Sequence, residues 1–130
     1  MIRRVLRIGR WTVEFLFAVG GYDTDGVLSC LYDAGAPKGI LAQAKDLMMS
    51  CRENCGFTYS NTLDRRAVVL VGPSSSGAEF LDTFVHEVRH LANSIAESLG
   101  QRLDGELPSY LAGDTARELA DIVCRLGCRT

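Results

Sequence analysis

Apolar and polar residues alternate near the start of the chain. In segment 11–19, large apolar side chains recur at every second position: Trp11, Val13, Phe15, Phe17 and Val19. This spacing is typical of a β-strand with one buried face. Gly9-Arg10 separates the segment from an earlier apolar run at residues 5–8. The pattern therefore predicts a β-hairpin over residues 3–19.

Two further strands are predicted in the middle of the chain. Residues 57–59 are a short β-rich piece, and residues 67–71 form the continuous apolar run Ala-Val-Val-Leu-Val. An apolar run of this length without alternation indicates a strand that is buried on both faces. We expect residues 61–66 to form the turn between the two strands.

Helical patterns occupy most of the remaining sequence. A short helix is predicted to start within residues 23–26 and run to residue 32, a longer one covers 37–54, and a last one covers about 108–126. The clearest helix covers 77–99, where an apolar stripe recurs every three to four residues: Phe80, Leu81, Phe84, Val88, Leu91, Ile95 and Leu99. The order of hairpin, two helices, two strands and two helices predicts an α+β fold, with a small sheet packed on about four helices.

Composition and charge limit the class of protein. The chain has 130 residues and a formal net charge of −2. The length predicts one domain over residues 1–130, and the charge argues against a general nucleic-acid binder, which needs a basic face. The first twenty residues are rich in arginine and partly apolar, but Glu14 interrupts them and no signal-peptidase site follows. We therefore expect a cytoplasmic protein without a membrane span.

Five cysteines are present. An odd count without a signal peptide argues against a disulfide framework. Cys51 and Cys55, like Cys124 and Cys128, are spaced C-x3-C, which is not the C-x2-C spacing usual in structural zinc sites. A four-cysteine zinc site remains the alternative. Because the first pair continues an apolar helical stripe, the favoured interpretation is buried, reduced thiols.

A glycine-rich loop at residues 72–77 follows the buried strand. Its G-x4-G spacing resembles a phosphate-binding loop, but Ala78 and Glu79 replace the lysine and the serine or threonine that hold phosphate and magnesium. Nucleotide binding is therefore the weakest hypothesis. Ser76 and Glu79 instead match the S-x-x-E capping box, which predicts a helix start at this point.

Both histidines of the chain lie in the window His86-Glu87-Val88-Arg89-His90. On a helix they are one turn apart and off the apolar stripe, so two imidazoles can bind one cation. Glu87 lies between this pair and the stripe, where its carboxylate can reach a water activated by zinc. The alternative is a solvated helix face with two incidental histidines.

A zinc site needs a third protein ligand, and acidic residues are the candidates. Asp104, Glu106, Asp114 and Glu118 follow the histidine helix. Glu106 is favoured, because it starts the last helix just after a turn that folds this helix back along the previous one. Tyr110, one turn further on, can donate a hydrogen bond to a developing oxyanion, or it can simply pack.

The sequence from His86 to His90, followed by Gly-Glu-Leu-Pro-Ser-Tyr-Leu-Ala-Gly at 105–113, resembles the gluzincin branch of zinc metallopeptidases. Residues 56–120 also resemble short, largely uncharacterised zincin-like proteins of bacteria and phages. The resemblance implies a minimal zincin-like domain in which His86, His90 and Glu106 hold zinc and Glu87 is the base. It also implies a strand beside the metal, either 57–60 or 67–71, that holds extended peptide substrate.

The sequence departs from the gluzincin pattern in two respects. Only 15 residues separate His90 from Glu106, and the large C-terminal helical domain is missing. We predict a minimal zinc-dependent hydrolase with peptides or proteins as substrates. The alternative is a non-enzymatic, zinc-stabilised structural or interaction domain of a mobile-element or phage-related system. A site closed by four protein ligands would favour the second function. The oligomeric state stays open.

Overall fold

A four-stranded mixed sheet forms the centre of the molecule in the computed structural model, which describes residues 1–128. The alternating segment forms β1 (Ile2–Ile8) and β2 (Trp11–Phe17), which pair antiparallel around a turn where Gly9 has a φ of 60°. The predicted hairpin is confirmed. Its turn uses the left-handed conformation that glycine adopts without steric cost.

The two later strands extend this sheet. β3 (Gly56–Asn61) pairs antiparallel with β4 (Arg66–Val71), and β4 pairs parallel with β2, so the strand order is β1-β2-β4-β3. Residues 67–71 are all buried, as their continuous apolar run predicts. β3 lies at an edge of the sheet and keeps one side of its backbone unpaired.

Helices cover both faces of the sheet. One face carries α3 (Gly77–Ser98), α4 (Leu107–Glu118) and α5 (Ala120–Gly127). The other face carries α1 (Thr24–Asp33) and α2 (Lys38–Ser50), preceded by a 3-10 turn at Gly21–Asp23. The fold is therefore α+β, as predicted, with five α-helices where the sequence indicated about four.

The last predicted helix is interrupted, which corrects the sequence-based prediction. Leu119 leaves the helical conformation, with φ −104° and ψ 19°, and separates α4 from α5. Its side chain is fully buried, and the Thr115 hydroxyl donates to the Leu111 carbonyl at 2.7 Å, a contact that tends to bend helices. The bend lets both α4 and α5 keep apolar side chains against the sheet.

α2 ends earlier than predicted, and this changes the account of the cysteines. The helix stops at Ser50, so Cys51 and Cys55 lie in the connection to β3. Their Cα atoms are 6.5 Å apart and the two residues form a disulfide. The expected buried, reduced thiols are thus wrong for this pair, because a turn rather than a helix joins them.

The three remaining cysteines are free. Cys124 and Cys128 are exposed, which also contradicts the expected burial. Cys30 is half-buried, and burial together with a hydrogen bond to Glu14 raises the pKa of its thiol. The two C-x3-C pairs lie on different elements and form no shared cluster among residues 1–128.

α3 is the longest helix and begins at the predicted cap. The Ser76 hydroxyl oxygen accepts from the Glu79 backbone N–H at 3.1 Å. The helix ends before Gly100, whose φ of 70° suits a glycine after a helix C-terminus. Leu81 and Leu99 belong to the predicted apolar stripe but are exposed. In the described part of the chain, no helix is both long and apolar enough to cross a membrane.

Candidate metal centre

His86 and His90 converge on the surface of α3. Their Nε2 atoms are 3.1 Å apart, and the two rings stand nearly perpendicular, at 79°. Two ligands on a tetrahedral zinc, each about 2.05 Å from the metal, would be roughly 3.3 Å apart. The separation of the two nitrogens is therefore close to the one that a shared zinc ion requires. A proton shared between the rings would compete with a cation for this position.

Glu87 lies beside this pair but faces inward. Only 6% of its surface is exposed. The Thr58 hydroxyl, on β3, donates to Glu87 Oε1 at 2.8 Å. Burying a carboxylate is costly unless its oxygens are hydrogen-bonded, so this contact helps to hold the charge in place. It also fixes the orientation of the side chain.

Gly56 makes room for the other oxygen of this carboxylate. A Cβ atom at residue 56 would lie 2.6 Å from Glu87 Cγ and 2.7 Å from Glu87 Oε2. Contacts this short do not occur, so any larger residue would displace Glu87 or the start of β3. The close approach of strand and helix thus depends on glycine at this position.

An open groove runs between β3 and α3 and contains all of these groups. It encloses about 440 Å³, and Phe57, Ser60 and Ser94 complete its lining. Ser60 Oγ is buried and has no hydrogen-bond partner among residues 1–128. The groove is therefore polar, and it follows the edge strand of the sheet.

The structure does not bring the predicted third ligand to the histidines. Within residues 1–128 no group of three or more His, Cys, Asp or Glu side chains could hold a metal. Glu106 is exposed just before α4 and is not part of the groove lining. The preceding turn contacts α3 through Arg89, which donates to the Leu103 carbonyl at 3.4 Å. Glu106 as a zinc ligand stays a prediction.

The substitute acids are engaged elsewhere. Asp104 pairs with Arg102 at 2.8 Å, and Asp114 pairs with Arg117 at 3.1 Å. Asp114 and Glu118 line a groove against β1, at the opposite edge of the sheet from β3. None of these carboxylates lies in the groove that contains His86 and His90.

Tyr110 is 65% exposed on α4 and is not among the groove residues. Its predicted role as an oxyanion donor therefore has no supporting contact and stays a prediction.

The glycine-rich loop uses its backbone for internal contacts. The Gly72 N–H donates to the Cys55 carbonyl at 2.8 Å, and the Ser75 N–H donates to Asn54 Oδ1 at 3.0 Å. These amides tie the loop to the start of β3. Since a phosphate site needs free backbone N–H groups, the contacts argue for a structural role of the loop.

Sequence reasoning missed Gly56 and Thr58 as parts of the site. Both precede Glu87 by about thirty residues, and only the packing of β3 on α3 brings them to its carboxylate. A glycine at the start of a predicted strand is the one signal that could have indicated the close approach.

No family model matches the sequence, and neither a curated protein nor a solved structure matches it. The likeness to gluzincins therefore depends on the motif residues alone.

Proposed function

We propose that the chain is a minimal zinc-dependent hydrolase that cleaves peptide bonds. His86 and His90 bind the zinc, and Glu87 acts as general base. The observation that carries this proposal is the 3.1 Å convergence of two imidazole nitrogens beside a buried carboxylate. Imidazole nitrogen is a preferred zinc donor, although other divalent metals also accept it.

The side chains near the histidine pair meet only part of the ligand requirement of zinc. His86 and His90 are the two proposed ligands that lie close together, and Glu106 is the proposed third. Ligation by Glu106 requires residues 99–106 to rearrange, because this carboxylate is not grouped with the histidines in the structure. The exposed position of Glu106 leaves its carboxylate uncommitted to the protein core.

In the proposed reaction, the zinc site and Glu87 have separate roles. Zinc supplies a Lewis acid that activates water for attack on a carbonyl at neutral pH. Glu87 Oε1 is held by Thr58, so Glu87 Oε2, next to Gly56, is the atom that would take the proton. A base held in one orientation is more effective, because no reorganisation is needed during the reaction.

The edge strand β3 supports a peptide as substrate. Its outer backbone groups are unpaired in the sheet, and an extended peptide can add there as a further strand. Such a peptide would pass along the groove and present its carbonyls to the histidine pair. This choice favours residues 57–60 over the central strand 67–71 as the substrate-binding strand.

Glu87→Gln tests the proposal. The amide oxygen can still accept from Thr58, so zinc binding should be retained while hydrolysis of unstructured peptides falls by at least about 100-fold. Zinc is measured by metal analysis, and cleavage by mass spectrometry. His86→Ala and His90→Ala should each lose the metal. Glu97→Gln, an exposed acid on the same helix, is the control. Wild-type cleavage rates in Glu87→Gln would refute the assigned base.

A second function is favoured by the missing third ligand. Two exposed histidines per chain could meet two from another copy and form a closed four-ligand zinc site. The chain would then be a non-enzymatic, zinc-stabilised interaction domain. Sedimentation with and without zinc separates the two functions, since this one requires dimers with one zinc per two chains.

A further inference from the structure

A second cavity, of about 390 Å³, lies at one end of the sheet. It forms where the β1–β2 turn and the β3–β4 turn meet the C-terminal end of α3. Ile8, Trp11, Ile95 and Leu111 provide an apolar floor, and Arg10 and Arg65 contribute the positive charge. Cavities of this size and composition are typical of sites for small organic groups.

The side chains of Arg10 and Arg65 have no partner among the described residues. Within residues 1–128 neither guanidinium forms a hydrogen bond or an ion pair, and both residues are exposed. Five other arginines each pair with a carboxylate: Arg3, Arg4, Arg66, Arg102 and Arg117. The cavity therefore combines an apolar floor with two unneutralised charges, a combination suited to a carboxylate on an apolar body.

The backbone at Arg65 is unusual for an arginine. Its φ is 52°, a left-handed conformation that glycine or asparagine adopts at lower cost. The turn alone therefore does not explain arginine at this position. We therefore infer that the arginine is present for its side chain, which lines the cavity.

The cavity lies next to the histidine groove along α3. The groove lining reaches Ser60 and Ser94, and the cavity lining includes Thr62, just after β3, and Ile95 and Ser98 on α3. His90 and Ser98 are eight residues apart on α3 (98 − 90), a rise of about 12 Å. An extended peptide covers that distance in about three to four residues.

We propose that this cavity is a specificity subsite for a carboxylate, three to four residues from the bond that is cleaved. The carboxylate belongs either to an acidic side chain or to the end of the peptide. That the carboxylate belongs to a peptide substrate rests on the proposed function. Binding at Arg10 and Arg65 nevertheless needs neither zinc nor turnover, so the two proposals can fail separately.

Trp11 provides a direct readout, because it is the only tryptophan of the chain and lines this cavity. Blocked hexapeptides with one glutamate near either end are titrated into zinc-free protein, and Trp11 fluorescence is followed. We expect binding about five- to tenfold tighter than for the matched glutamine peptides. A peptide with a free C-terminus and no glutamate shows whether the end carboxylate serves instead. Calorimetry repeats each titration independently of fluorescence.

Substitution of the arginines tests the site itself. Arg10→Gln with Arg65→Gln should abolish the preference for the carboxylate and leave zinc binding unchanged. Arg7→Gln is the control, since Arg7 is exposed on β1 and lies outside the cavity. Equal affinity for glutamate and glutamine peptides would overturn the proposal. So would a double variant that loses only stability, because the arginines would then merely offset the dipole of the α3 C-terminus. If peptides bind as expected but zinc does not, the subsite stands and the hydrolase proposal fails.

Discussion

The packing of α3 alone does not explain why residue 87 is a glutamate. Apart from Thr83, its neighbours on the buried face are apolar, and a leucine there would pack without the cost of burying a charge. The chain instead supplies a hydroxyl from Thr58 and a glycine at residue 56 to accommodate the carboxylate. Two residue choices on β3 thus accommodate one buried acid on α3, next to the two histidines.

Gly56→Ala should disrupt this arrangement. The new Cβ would collide with the Glu87 side chain, so we expect a loss of roughly 2 kcal/mol in the free energy of unfolding. Urea denaturation measures the change. In a Glu87→Ala background the same substitution should cost much less, because the colliding atoms are gone. Such a double-mutant cycle isolates the contact.

Gly39→Ala is the matched control for this experiment. Gly39 lies in α2 with open space around its Cα, so alanine there should leave stability unchanged or raise it slightly. An equal cost of Gly56→Ala with and without Glu87 would show that the glycine serves the backbone and not the carboxylate.

At the scale of elements, α3 determines whether the histidines can act together. Residues four apart on a helix lie on one side, and this follows from helix geometry without any tertiary contact. The 3.1 Å separation of the imidazole nitrogens is thus a local property once α3 is formed. The integrity of the middle of α3 therefore matters for metal binding.

Ser76→Ala tests how much the N-cap supports α3. Loss of the hydroxyl leaves the Glu79 N–H without its acceptor, and we expect a loss of about 1 kcal/mol in stability. For a chain of this length the melting temperature should fall by about 3–5 °C. Thermal and urea unfolding measure the effect. Ser109→Ala, at an exposed position on α4, is the control, and an equal loss there would contradict a specific role for the cap.

Element boundaries were less predictable than element types. The types of β1, β2 and α3 follow from the period of their apolar residues, and the type of β4 follows from its continuous apolar run. The apolar pattern does not predict the break at Leu119, because the pattern continues across this residue and a single helix would satisfy it equally well. The burial of Leu119 and the contact of the Thr115 hydroxyl with the Leu111 carbonyl accompany the bend.

At the scale of the molecule, the two sides of α3 face different neighbours. β3 contacts the side that carries Glu87, whereas α4 packs on the other side and reaches toward β1. The histidine groove therefore opens toward the edge strand, and the proposed third ligand lies on the segment that leads into α4. The completeness of the metal site depends on this long-range arrangement.

Glu106→Ala tests whether that segment completes the site. If Glu106 is the third ligand, zinc affinity should fall by about 100-fold. Competition with a chromophoric chelator measures the affinity. Glu118→Ala, whose carboxylate lies in the groove against β1, should have no effect. Unchanged affinity in Glu106→Ala would exclude this ligand and favour the shared four-histidine site between two copies.

The sequence by itself determined the period of each element, the start of α3 at Ser76 and the side of α3 on which His86 and His90 lie. These features depend on residues a few positions apart, whose geometry is set by the backbone alone. Only the tertiary structure decided that Thr58 and Gly56 hold Glu87 and that Glu106 stays apart from the histidines. Those outcomes depend on how the chain folds back on itself, and many packings of the elements satisfy the same local patterns.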